Sequence, residues 1–124
     1  MEPHVKKSLL IVDDDPSNLA ALIHLLQDDY KIYAAKNGQT AVKNAKKLKP
    51  DMILLDVVMP DLSGYEVLST LRENEETCKI PVVMISGLNS MEDERNAMVA
   101  GAAGYIAKPF DRQEVITKVK RFIA

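Results

Sequence analysis

One cysteine among 124 residues, Cys78, leaves no internal disulfide and excludes the disulfide-stapled class of small secreted folds. No apolar run approaches the roughly 20 residues of a membrane span. The N-terminal stretch has no signal-peptide apolar region, because Leu9–Val12 is only a short run between Lys7 and Asp13. An excess of one charge is also missing. Sixteen basic and 18 acidic residues leave a dispersed net charge of −2, which speaks against direct nucleic-acid binding. There is no repeat, low-complexity tract or linker. No Gly-x-Gly-x-x-Gly follows a strand and no Walker pattern occurs, so dinucleotide binding lacks its usual signature. These absences predict a soluble, cytoplasmic protein with no membrane contact, one domain filling residues 1–124.

What is present is alternation. Short apolar runs at Leu9–Val12, Ile32–Ala35, Met52–Leu55, Pro81–Ile85 and Tyr105–Ala107 read as buried strands, the second as an edge strand. Between them lie helical stripes. Leu19, Leu22, Ile23 and Leu26 form the first; Ala41, Ala45 and Leu48 form the second, backed by Lys43, Lys46, Lys47 and Lys49 on its wet side. Val67, Leu68 and Leu71 make a third, and Val115, Ile116, Val119 and Phe122 a last one. Met91 to Ala100 is the least amphipathic segment, with Met91 and Met98 read as partner-surface residues. Asp15 before Pro16, Ser63 with Glu66, and Asp111 with Glu114 mark helix starts, and Gly101 marks a helix end. Strict β-α alternation with right-handed crossovers gives an α/β fold: one doubly wound five-stranded parallel sheet with helices on both faces.

In such a sheet, sites form where strands end at their carboxyl edge. Asp13, Asp14 and Asp15 follow the first run, Asp56 the third, Ser86 the fourth and Lys108 the fifth. Several carboxylates, one hydroxyl and one ammonium therefore meet at one edge. Crowded carboxylates repel unless a cation relieves them, and an all-oxygen set suits a hard ion such as Mg2+. Lys108 and Ser86 are placed to hold phosphoryl oxygens, and the chemistry indicated is phosphoryl transfer to a carboxylate. Asp15 is assigned to capping. His24 and His4 have no partner at ligand spacing and read as surface residues.

Leu9-Leu10-Ile11-Val12-Asp13-Asp14, Ile53-Leu54-Leu55-Asp56-Val57-Val58-Met59-Pro60, Gly64, Ile80-Pro81-Val82-Val83-Met84-Ile85-Ser86 and Gly101 to Phe110 occur in this order. Together they resemble a response-regulator receiver domain of two-component signalling, over Leu9 to Phe122. The resemblance implies Asp56 as phosphoacceptor, with Ser86 and Lys108 on the phosphoryl group. It implies Mg2+ held by Asp13, Asp14, Asp56 and the backbone carbonyl of Val58. It also implies strand order 2-1-3-4-5, a cis Lys108-Pro109 bond, and a switch made of Ser86 and Tyr105.

The implied partner is a histidine kinase or phosphotransfer protein, with small phosphodonors as substitutes. The implied readout is the face of the fourth helix, fifth strand and fifth helix, toward a homodimer or an output domain. Such a domain is a signalling phosphoacceptor that assists its own phosphorylation and dephosphorylation, not an enzyme with a separate substrate. Val58 and Leu88 flank the path of the hydrolytic water in the family. Both are apolar here, which implies a long-lived phosphoryl state. Ser63 and Gly87 depart from the commoner family residues. The Asp15 to Leu19 start is similar to receivers attached to cyclic-di-nucleotide enzymes.

Two other readings use the same residues. A pseudo-receiver would keep the fold and act as a binding module without phosphorylation. A haloacid-dehalogenase-like phosphatase would use Asp13 as nucleophile and leave Asp56 without a role.

Overall fold

Five strands and five helices alternate along the computed structural model, which describes residues 6–87 and 91–123. His4 and Leu88 lie outside the described residues. The elements are β1 (Ser8–Val12), α1 (Pro16–Leu26), β2 (Lys31–Ala35), α2 (Gly38–Leu48), β3 (Met52–Asp56), α3 (Gly64–Glu73), β4 (Val82–Ser86), α4 (Met91–Val99), β5 (Gly104–Ala107) and α5 (Arg112–Phe122). All pairings are parallel and the strand order is β2-β1-β3-β4-β5, as the resemblance implied.

The strand limits shift in instructive ways. Pro81 was expected inside the fourth strand but precedes it: it has no N–H, and only its carbonyl joins the pairing, accepting the Ile53 N–H at 3.0 Å. Asp56 and Ser86 prove to be the last residues of β3 and β4 rather than the first of the following loops. Every residue of these two strands is buried, as central parallel strands covered on both faces require. β2 lies at the edge, and only its Ala35 is buried.

Alternate residues of each strand feed two separate cores. Leu10, Val12, Ile53, Leu55 and Met84 pack under α2, α3 and α4. Leu9, Ile11, Leu54, Val83 and Ile85 pack under α1 and α5, against residues such as Leu22 and Val119. The helices are held at their ends by local chemistry. Side chains of Asp15, Asn37, Ser63 and Asp111 accept backbone N–H bonds of 2.8 to 3.2 Å, contacts of about 1 kcal/mol each. Asn37 was not foreseen as a cap.

At the far end of α4, Gly101 adopts a φ of +109°. Its N–H reaches the Met98 carbonyl and the Ala102 N–H reaches that of Ala97, which closes the helix. α4 buries only Ala97, leaving Met91 80% and Met98 47% exposed, while the other described methionines fill the core. No helix among the described residues is long and apolar enough to cross a membrane.

Candidate functional site

The carboxyl edge of the sheet gathers the residues singled out by sequence. Asp13 directly follows β1 and is fully buried; its N–H donates to the Ala35 carbonyl at 3.1 Å, which fixes it beside the end of β2. One of its oxygens accepts the Asp15 N–H at 2.9 Å, and the other accepts from Lys108 Nζ at 3.0 Å. Asp56 is 4% exposed at the end of β3, with its Oδ1 3.2 Å from the same ammonium. Lys108 follows β5, and its N–H bonds the Ser86 carbonyl at 2.7 Å, so β4 and β5 end in step. Asp14 is exposed, yet one of its oxygens lies within 4.8 Å of oxygens from Asp13 and Asp56. The Lys108-Pro109 peptide is cis.

Burial and charge pull these groups in different directions. Burial pushes the Asp56 carboxyl up to about 6; the Lys108 charge opposes this, while Asp13 and Asp14 add to it. Burial pulls Lys108 down, but its hydrogen bond to Asp13 and the charges of Asp56 and Asp13 outweigh that and leave it raised. Desolvation governs the acid, and pairing governs the base. Three carboxylates thus face one ammonium, an arrangement short of positive charge. The donor set offers oxygen alone, without imidazole or thiolate, and fits a hard divalent cation.

The remaining sequence candidates differ in burial. Ser86 is fully buried and hydrogen-bonded to Tyr105. Tyr105 is 6% exposed and turned into the core beneath α4, where burial raises its phenol against the opposing effect of Ser86. Val58 sits in the β3–α3 loop with its side chain 62% exposed. Asp15 caps α1, and His24 is exposed in its last turn.

Three polar residues were missed: Asp61, which accepts N–H bonds from Gly38 and Gln39; Asp51, which holds Ser8; and Arg72, which clamps three carbonyls. All three act on distant backbone, which leaves no local motif to find.

The model of the response regulator receiver domain family matches residues 9–120. The chain belongs to this family. This receiver is 39% identical over 109 residues to a probable cyclic di-GMP phosphodiesterase of Vibrio cholerae, covering 88% of this chain and 25% of that protein. A response regulator structure from Chloroflexus aurantiacus superposes with a TM-score of 0.90 at 31% identity, covering 95% and 98% of the two chains. The receiver domain of a Pseudomonas aeruginosa sensor histidine kinase, with a magnesium ion coordinated in its active-site cleft, superposes at 0.88 with 29% identity, covering 96% and 98%. The first six curated relatives are matched over only 9% to 55% of their own length. Membership in the receiver family sets the phosphatase reading aside.

Proposed function

We propose that this receiver accepts a phosphoryl group on Asp56, with Mg2+ held by Asp13, Asp14, Asp56 and the backbone carbonyl of Val58. One observation carries the reading: a buried carboxylate at the end of central strand β3, 3.2 Å from Lys108 Nζ and grouped with two further carboxylates. When bound, the ion would offset the charge of those carboxylates and of an incoming phosphoryl group.

The chain's own residues do the rest. An ionised Asp56 oxygen attacks phosphorus in line. The new O–P bond forms as the bond to the donor breaks, and its electron pair leaves on the imidazole of a histidine kinase or phosphotransfer protein, or on the carboxylate oxygen of acetyl phosphate. Lys108, kept in place by Asp13, holds one phosphoryl oxygen as a point charge. The Ser86 hydroxyl donates to another.

Because Ser86 is bonded to Tyr105, its movement toward the phosphoryl group changes what the phenol contacts and biases a two-state equilibrium. α4 is the element best suited to shift, since a single buried residue anchors it. The exposed Met98, beside Tyr105 and Phe122 on the α4-β5-α5 face, suits a homodimer or output domain in the cytoplasm.

The test is intact mass after incubation with acetyl phosphate, with and without Mg2+, beside Asp56→Asn. The expected result is a Mg2+-dependent gain of one phosphoryl group that the variant lacks. No gain would favour a pseudo-receiver, and a gain that survives in the variant would move the nucleophile elsewhere.

A further inference from the structure

The two segments that carry the carboxylates are joined through a third that carries none of them. The Asp13 N–H bond to the Ala35 carbonyl pins the start of the β1–α1 loop to the end of β2. Just beyond Ala35, the first turn of α2 donates its Gly38 and Gln39 N–H groups to the two carboxylate oxygens of Asp61, at 2.9 and 3.0 Å. Asp61 lies in the β3–α3 loop that leaves Asp56 and contains Val58. At the end of that loop the Gly64 N–H returns to the Val57 carbonyl at 2.6 Å. The chain of contacts therefore runs from Asp13 through β2 and α2 to Asp61, and from there back to the end of β3.

Steric contact closes the same path. A Cβ on Gly38 would fall 2.7 Å from the Leu62 Cβ, and a Cβ on Gly64 would fall 2.5 Å from the Asp56 carbonyl oxygen. The α2 start and the loop are thus pressed together on one side, and the loop and the strand end on the other. Asp61 is well matched to its task, because two donors at a helix start favour a carboxylate. Those N–H bonds, Gly38 first, hold its carboxyl below the ordinary carboxylate range.

We propose that Asp61 is a positioning residue which sets the spacing between the Asp13–Asp14 pair and the Asp56–Val58 strand end by clamping the β3–α3 loop to α2. This deepens the Mg2+ reading given above and rests on it. Asp61 touches no phosphoryl group. Its loss acts through the geometry of the cation ligands.

The test is calorimetric titration of MgCl2 into the wild-type chain, Asp61→Ala, Asp61→Asn and Asp51→Ala. Asp51 ties Ser8 at the opposite edge of the sheet and serves as a control for stability loss alone. Asp61→Ala is expected to weaken Mg2+ binding about tenfold, the usual scale for residues that orient metal ligands. Asp61→Asn should fall between, since its amide offers one acceptor where two donors point. At saturating Mg2+, the phosphorylation rate of both variants should return to the wild-type level.

Asp51→Ala should melt earlier and bind Mg2+ unchanged. A wild-type Mg2+ affinity in folded Asp61→Ala overturns the proposal, and so does an equal loss in Asp51→Ala. If Asp61→Ala does not fold, Asp61→Asn decides by the same criterion. If the wild-type chain takes up no Mg2+, the underlying reading fails and the proposal falls with it, a result visible in that arm alone.

Discussion

The amino edge and the carboxyl edge of this sheet are both rich in polar groups, yet they are assembled on opposite rules. At the amino edge each group is answered. Asp51 accepts the Ser8 N–H at 2.7 Å, and the buried Thr77 hydroxyl donates to the Leu71 carbonyl at the same distance. Arg72 spreads its guanidinium over the carbonyls of Cys78, Ile80 and Gly101, at 2.9 to 3.3 Å. Burial lowers the Arg72 pKa, with Cys78 opposing, but the guanidinium keeps its charge because hydrogen bonds surround it. At the carboxyl edge, by contrast, three acids crowd one lysine, and burial makes Asp56 reluctant to ionise. The first edge holds loops in place. The second stores unfavourable charge that a ligand can relieve, and stability is traded there for chemistry.

The sharpest way to break this contrast is to disarm the amino edge. Arg72→Met should lower unfolding free energy by about 2 kcal/mol, because three carbonyls lose a charged donor. Urea unfolding would show a lower midpoint at unchanged slope, and phosphorylation per folded molecule should stay at the wild-type rate. A large loss of phosphorylation without a loss of stability would show that the two edges are not separable.

A smaller effect of opposite sign is expected at the carboxyl edge. Asp56→Asn removes a charge from a site that disfavours it. Without divalent cations near pH 7.5, it should gain about 1 to 2 kcal/mol once solvent screening is allowed for.

The pH profile then sharpens the same point. The folded-state pKa of Asp56, about 6, is raised above its unfolded value. Between the ordinary carboxylate range and about 6, the folded chain therefore holds a proton that the unfolded chain has released. The contribution of Asp56 to stability is fully present below that window and is lost as pH rises through it. The stability difference between the wild-type chain and Asp56→Asn should grow across the same window and shrink when Mg2+ is added. A difference independent of pH would assign the gain to something other than charge.

The smallest change in stability is expected at Val58. Its exposed side chain makes Val58→Asn neutral to within about 0.5 kcal/mol. In the proposed phosphorylated state, the same change would offer a polar group to an attacking water. It should therefore shorten the life of phosphorylated Asp56, read as phosphate release over time. An unchanged lifetime would remove the apolar loop as the reason for a durable phosphoryl state.

Much of this arrangement was legible in the residues because it rests on local rules. Apolar runs gave the strand positions, and the polar residue at each run's end gave the edge on which the cluster forms. Asp15, Ser63 and Asp111 announced helix starts through bonds only two or three residues long. Pro81 misled at the start of β4, since an apolar pattern counts side chains while pairing also demands N–H groups. Asp61, Asp51 and Arg72 were invisible for a related reason. Each is a common polar residue whose partner is backbone brought near by the fold, and no spacing in the chain marks it.

The sequence by itself determined the alternation of strands and helices, their burial and the identity of the acids at the carboxyl edge, because side-chain period and capping act over a few residues. Only the tertiary structure decided that burial raises the Asp56 carboxyl, that one lysine serves both Asp13 and Asp56, and that Asp61 reaches α2. Desolvation and ion pairing depend on distances across the fold, and those distances exist only once the sheet has closed around its two cores.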